Sequence, residues 1–493
     1  MSNLVSGTKW VALETVITRI LQLISALYVA RVLGPETMGT VALILVALEI
    51  FTLFSQMGIT QALIHHNNPT NDQLATLYTV NWVLAGLAYI AIFLSAPAIA
   101  IFFDNEPLSE LLRVAGLSVL IAALGQQTLA LLQKELLFKA MAIISIIAGT
   151  VNVVTAISMV SLGWGIWSIV AGQLAGLLTR SGLAFVYGIR KALFSGFGAS
   201  FRAIKPMLSF GFYQTGAMTM NMINSRADQL IIGKTIGVSA LGIYSIGSQI
   251  TLQAMQQINS IATKVAFPAV SKQQDDLEQV KRIYLAMIAN VLLVSAPLFI
   301  GLAVLSPLFV DVVLGEKWTG LSPVLSILCG YVLVRSLGNM NGPLVMGLGK
   351  ANWAFYWNVG LLFVIPGVIY LSSLDGRIEM VALALLITQL VLVTIAYFYW
   401  IRRLIGPCAR EYVFTLGRPV LSALGMGGIV WLLYRGVTWE NDLITLGVMV
   451  LVGVAGYLLF SIAINRRNLV GFLNGVFSKS GVAIPGVVSD RHH

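Results

Sequence analysis

Charge is what this sequence has least of. Asp, Glu, Lys and Arg make up 10% of its 493 residues, against about 25% in an ordinary soluble domain. Hydrophobic residues reach 58% and gather in runs long enough to cross a bilayer, which excludes a soluble globular chain. Cysteine is nearly absent. Cys329 and Cys408 are too few for a disulfide framework and lack the spacing of a zinc site. Histidine is also sparse, and the pair His65-His66 falls in a connection, where a solvated loop is a better account than a proton relay. There is no Gly-x4-Gly-Lys-Ser/Thr loop, so no ATPase module. Paired catalytic carboxylates, a metal-ligand cluster and long polar loops are missing too. An enzyme, a metal site and a bound cofactor are therefore not expected.

What is present is a series of apolar runs. Fourteen segments have spanning length, about 20 residues each. The least apolar are the first (11–33), the seventh (208–235) and the eighth (240–267). The first contains Glu14, Arg19 and Gln22, which is not the clean short run of a cleavable signal. The net charge of +10 suits cytoplasmic loops better than nucleic acid. Lys134, Lys139, Arg190, Lys191, Arg402, Arg403, Arg466 and Arg467 share one side with the N-terminus, while Asp104, Glu106, Asp311, Glu316 and Asp375 lie opposite. By the positive-inside rule the basic side is cytoplasmic. An even number of spans then places both termini there, in a multi-pass membrane protein.

Several spans carry polar stripes. In 210–244, Gln214, Asn221, Asn224, Ser225 and Asp228 fall on one face at about 100° per residue. Such a face must meet other helices or water, because lipid would leave it unsatisfied. Arg226 points nearly the opposite way. It either pairs with a neighbour or marks a broken helix. Glu14, Thr18, Gln22 and Ser25 form a similar stripe in the first span, with Arg19 at its edge, and Glu49 lies on a polar face of the second. A single Gln, Ser or Thr in a span is most often contact glue between helices. Embedded charges differ, costing on the order of 3 kcal/mol each at bilayer depth. The candidate substrate-binding residues are therefore Arg19, Arg226, Arg335, Asp228, Glu14, Glu49, Gln22 and Asn221. A structural ion pair is the competing account for each charge. Arginine on three spans favours an anion, because its planar donor fork suits phosphate.

The chain also repeats itself. Arg31-Val-Leu-Gly34-Pro-Glu-Thr-Met-Gly39 aligns residue for residue with Lys234-Thr-Ile-Gly237-Val-Ser-Ala-Leu-Gly242. Six spans per half would relate the halves by an axis along the membrane normal. The expected fold is all-α: a first six-helix lobe at 1–188, a cytoplasmic linker at 189–207 and a second lobe at 208–403. Two more helices at 404–467 and a cytoplasmic tail at 468–493 complete it. The polar stripes of the two lobes would line a central cavity.

Several stretches carry a resemblance. Gln126-Gln127, Gln133 to Phe138 (QKELLF), Phe267-Pro268, Asp275 to Glu278, Phe309 to Trp318 (FVDVVLGEKW) and Pro323 to Asn339 occur in the order and spacing of a known family. The chain resembles the polysaccharide transport family, Wzx-type exporters of the multidrug/oligosaccharidyl-lipid/polysaccharide flippase superfamily, over nearly its whole length. The resemblance implies two facing six-helix lobes with two extra helices. It also implies that an undecaprenyl-diphosphate-linked oligosaccharide passes from the cytoplasmic to the periplasmic leaflet of a bacterial inner membrane by alternating access. H+ or Na+ as coupling ion, polymerase and export proteins as partners, and a monomer are implied in the same way. Arg19 and Arg226 match, by helix and role, the arginines that engage the diphosphate in related lipid flippases. A cation-coupled drug antiporter of the same superfamily is the alternative. Its cavity would be acidic and aromatic, which the embedded arginines oppose.

Overall fold

A computed structural model describes residues 2–56, 63, 69–191, 196–200, 204, 219, 222, 225–436, 441–466 and 468–470. Among them there are helices and turns and no strand. In lipid, a helix satisfies all its backbone groups internally, which is why apolar runs of this length take that form. The early helices are α1 (Ser2–Leu33), α2 (Pro35–Gln56), α3 (Asn71–Phe102), α4 (Pro107–Ala115), α5 (Leu117–Lys134), α6 (Phe138–Ser161) and α7 (Trp167–Arg190). Next come α8 (225–235), α9 (Val238–Lys272), α10 (Leu277–Val304), α11 (Ser306–Val313), α12 (Leu321–Asn339) and α13 (Asn341–Gly347). Last are α14 (Ala351–Ser373), α15 (Ile378–Ala396), α16 (Ala409–Gly436) and α17 (Asp442–Ile464). Beyond Ala396, α15 runs on through a π turn, Tyr397–Ile401, into Arg402–Ile405.

The boundaries follow local chemistry. Thr70 and Gln73 form a capping box ahead of α3, and Asp276 and Asn441 cap α10 and α17. These side chains satisfy amide groups that the first helical turn leaves open. Among the described residues twelve helices are long and apolar enough to cross a membrane, so the chain is a multi-pass membrane protein. Fourteen were expected. The eighth falls on α9, a single helix of 35 residues whose Gln249, Gln253, Gln256 and Gln257 lower its hydropathy. Of the seventh, α8 is the last part, and most of its earlier residues lie outside the described set.

The chain forms two compact units, Met1–Gly242 and Ile243–His493. In the first, α1 packs on α6, α6 and α5 on α7, and α2 on α3. Two buried amides tie α3 to α5: Asn81 Nδ2 donates to the Ala123 carbonyl and Gln127 Nε2 to the Leu74 carbonyl, each at 3.0 Å. In the second unit α10 is central, packed on α12 and α16, with α15 against α12 and α17 against α16. Its core includes Tyr284, Val291, Leu344, Trp400, Ile401 and Tyr412. The Tyr284 hydroxyl donates to Asn341 Oδ1 at 2.6 Å.

The repeated turn has a repeated geometry. Gly34 and Gly237 both take positive φ, +88° and +113°, a region that favours glycine. Met38 N bonds to the Gly34 carbonyl and Leu241 N to that of Gly237, the same bond at equivalent positions. The two turns also meet. A Cβ on Gly39 would strike the Val238 carbonyl, and one on Gly242 would strike that of Pro35. Val238 and Pro35 are themselves equivalent, so the contact is reciprocal, as an isologous contact requires.

Candidate functional site

The first unit brings together two of the residues expected to bind substrate. Arg226 Nε donates to Glu49 Oε2 at 2.8 Å. Glu49 lies 14 residues into α2 and Arg226 lies 11 residues before Gly237. At 1.5 Å per residue these are about 21 and 16 Å from the two turns, and Glu49 lies well inside an apolar span. Arg226 is therefore held in an ion pair, one of the two outcomes its orientation allowed. Its side chain is 37% exposed and that of Glu49 40%. The pair is thus open on one side, and an incoming polar group can reach it. Pairing offsets part of the cost of embedding either charge.

The other candidates are placed less closely. On α1, Arg19 and Gln22 are exposed, Glu14 is half-buried and Ser25 is buried. Thr18 Oγ1 donates to the Glu14 carbonyl at 2.7 Å. No carboxylate lies within ion-pair distance of Arg19 among the described residues. Asp228, half-buried on α8, accepts from the Gln229 amide at 2.8 Å. Asn221 lies outside the described residues, as do Gln214 and Asn224. Arg335 belongs to the second unit, on α12. Its Nη1 donates to the Tyr331 hydroxyl at 2.6 Å, and its guanidinium lies 5.6 Å from that ring's centroid. Tyr331 precedes it by four residues, so this partner was available from helical spacing.

One ion pair was not anticipated. Lys234 Nζ sits 3.0 Å from Asp104 Oδ2 and 5.2 Å from the centroid of the Phe102 ring. The signal was the opposite sign of two residues at helix ends on the same expected side. Among the described residues no group of three or more His, Cys, Asp or Glu is placed to hold a metal. A cavity of about 300 Å³ in the second unit is lined by Phe299, Ile300, Leu333, Leu424, Ser326 and Cys329 among others, without a charge. It suits apolar matter and not an anion.

Between Ile405 and Ala409, Cys408 is buried. Burial pushes its thiol above the ordinary range, a hydrogen bond with Tyr397 working against that.

Known proteins fit this arrangement. The family described as polysaccharide biosynthesis protein matches residues 28–323. The lipopolysaccharide biosynthesis protein WzxC of Escherichia coli K12 is 31% identical over 85% of either chain. The teichuronic acid biosynthesis protein TuaB of Bacillus subtilis 168 is 32% identical over 77% of this chain and 78% of its own. In fold, the chain is similar to the lipid II flippase MurJ in an inward closed conformation. The TM-score is 0.68 at 15% identity, over 92% of this chain and 100% of that one.

Proposed function

This chain belongs to the polysaccharide biosynthesis protein family, and from that premise we propose that it is a flippase for a polyprenyl-diphosphate-linked oligosaccharide. The relatives' names supply the polysaccharide, and the flippase likeness in fold supplies the movement. The observation that carries the reading is the half-exposed Arg226–Glu49 pair, with Glu49 on an apolar spanning helix. Glu49 engages Arg226 through Nε, which leaves the Nη groups to a ligand. A diphosphate is the lipid-borne group whose charge and geometry match such a fork. Arg19, exposed on α1, is a second cation for the same anion.

The proposed cycle exposes this site first to the cytoplasmic leaflet of an inner membrane and then to the periplasmic one. The polyprenyl tail stays in lipid throughout. The protein moves its substrate and makes or breaks no bond in it. H+ or Na+ is the proposed driving ion.

Binding to the purified protein in nanodiscs tests this. A polyprenyl-diphosphate oligosaccharide is expected to bind in preference to a lipophilic cationic drug, and Arg226→Gln is expected to weaken it at least tenfold. Binding of the cation alone would replace the flippase by an antiporter. Lipid binding untouched by the substitution would keep the function and discard Arg226 as its site.

A further inference from the structure

The second unit carries a cluster of cations and aromatic rings unrelated to the Arg226 site. The π turn Tyr397–Ile401 at the end of α15 brings Tyr399 and Arg403 together, with the Arg403 guanidinium 4.9 Å from the Tyr399 ring centroid. Tyr399 in turn lies 5.8 Å from Trp353, centroid to centroid, on the first turn of α14. Lys350 caps that turn, its carbonyl accepting from the Trp353 amide at 2.9 Å. The Arg403 guanidinium thus lies over a contiguous Tyr–Trp platform, and Lys350 stands at the start of the helix that carries Trp353. Lys350 and Arg403 are exposed, as are Arg402 beside them and Tyr399 itself at 41%. Among the described residues no carboxylate lies within ion-pair distance of Lys350, Arg402 or Arg403.

We propose that this platform is a binding site for the headgroup of an anionic phospholipid. A guanidinium stacked on a ring keeps its in-plane N–H donors directed outward, where a phosphate can take them. Tyr and Trp settle at the headgroup level of a bilayer, which places Lys350 and Arg403 at phosphate depth. Farther along the same helices, Phe355, Phe363, Ile387 and Ile395 are exposed and offer an apolar surface for acyl chains. The uncompensated positive charge selects an anionic lipid over a zwitterionic one. π turns recur at functional sites, and here the turn has a local consequence, since it carries the ring and its guanidinium. The site does not depend on the transported substrate.

Native mass spectrometry of the full chain, released from micelles holding phosphatidylglycerol and phosphatidylcholine, tests the proposal. The wild type is expected to retain phosphatidylglycerol preferentially. Lys350→Gln and Arg403→Gln should each reduce that preference about fivefold, and Arg403→Lys should retain most of it. Arg377→Gln, the same charge change at the opposite end of α15, should leave it intact. An unchanged preference in the Lys350→Gln/Arg403→Gln double variant would overturn the proposal, as would an equal loss in Arg377→Gln. Inorganic phosphate that raised the melting temperature as much as phosphatidylglycerol does would also overturn it, marking a site for free phosphate.

Discussion

At the scale of single residues, embedded charges and their partners decide what this protein can hold. That Arg226 and Glu49 needed an explanation was legible, because a charge in an apolar run is expensive wherever it occurs. That they explain each other was not. They are 177 positions apart, and helical periodicity ranks faces within one helix without saying which helices meet. Glu49→Gln removes the carboxylate that competes for Arg226, and it is expected to tighten binding of a diphosphate lipid several-fold. Equilibrium binding of the two proteins, measured side by side, checks this, and a weakened variant would count against competition. Cys408 gives a second prediction. Its thiol is buried and pushed upward, so it remains protonated at neutral pH, and the thiolate is the reactive form. Alkylation of the folded protein at pH 7 should be far slower than in denaturant, and should accelerate only as pH rises into the alkaline range. Mass spectrometry of the Cys408 peptide follows both.

At the scale of helices, the sequence was most informative. Asn71–Phe102, Ala351–Ser373 and Asp442–Ile464 each fall on one of the apolar runs of spanning length. Hydropathy runs bounded by Pro, Gly and capping residues mark these ends directly. The duplicated turn was legible as well, since its glycines recur at fixed offsets and take the same backbone form. What spacing could not say is that the two copies pack on each other. That depends on the tertiary course of the chain between them. The packing makes a prediction. Gly39→Ala or Gly242→Ala puts a methyl group against a carbonyl of the other turn, overpacking that costs about 1–3 kcal/mol. Each should lower the apparent melting temperature in detergent, whereas Gly360→Ala, with nothing within 4 Å of the new Cβ, should not. Equal effects at all three positions would contradict the reciprocal contact.

At the scale of the whole molecule, scarce charge and spanning runs made a polytopic helical protein legible from composition alone. Among the described residues the tally by hydropathy stops at twelve, because α9 is polar and most of the seventh expected span lies outside that set. The transported molecule was less legible. The embedded arginines favour an anion, and the family specifies polysaccharide biosynthesis, but no residue pattern in the chain encodes a particular sugar. The central claim is therefore movement of a diphosphate-linked glycan lipid across a bilayer. The direct measurement is reorientation of a fluorescent polyprenyl-diphosphate oligosaccharide in proteoliposomes, read by access of a membrane-impermeant quencher, with ion gradients imposed in turn. Protein-dependent reorientation is expected, slowed at least tenfold by Arg226→Gln while that variant remains folded. Reorientation no faster than in protein-free liposomes, under every gradient, would contradict that claim.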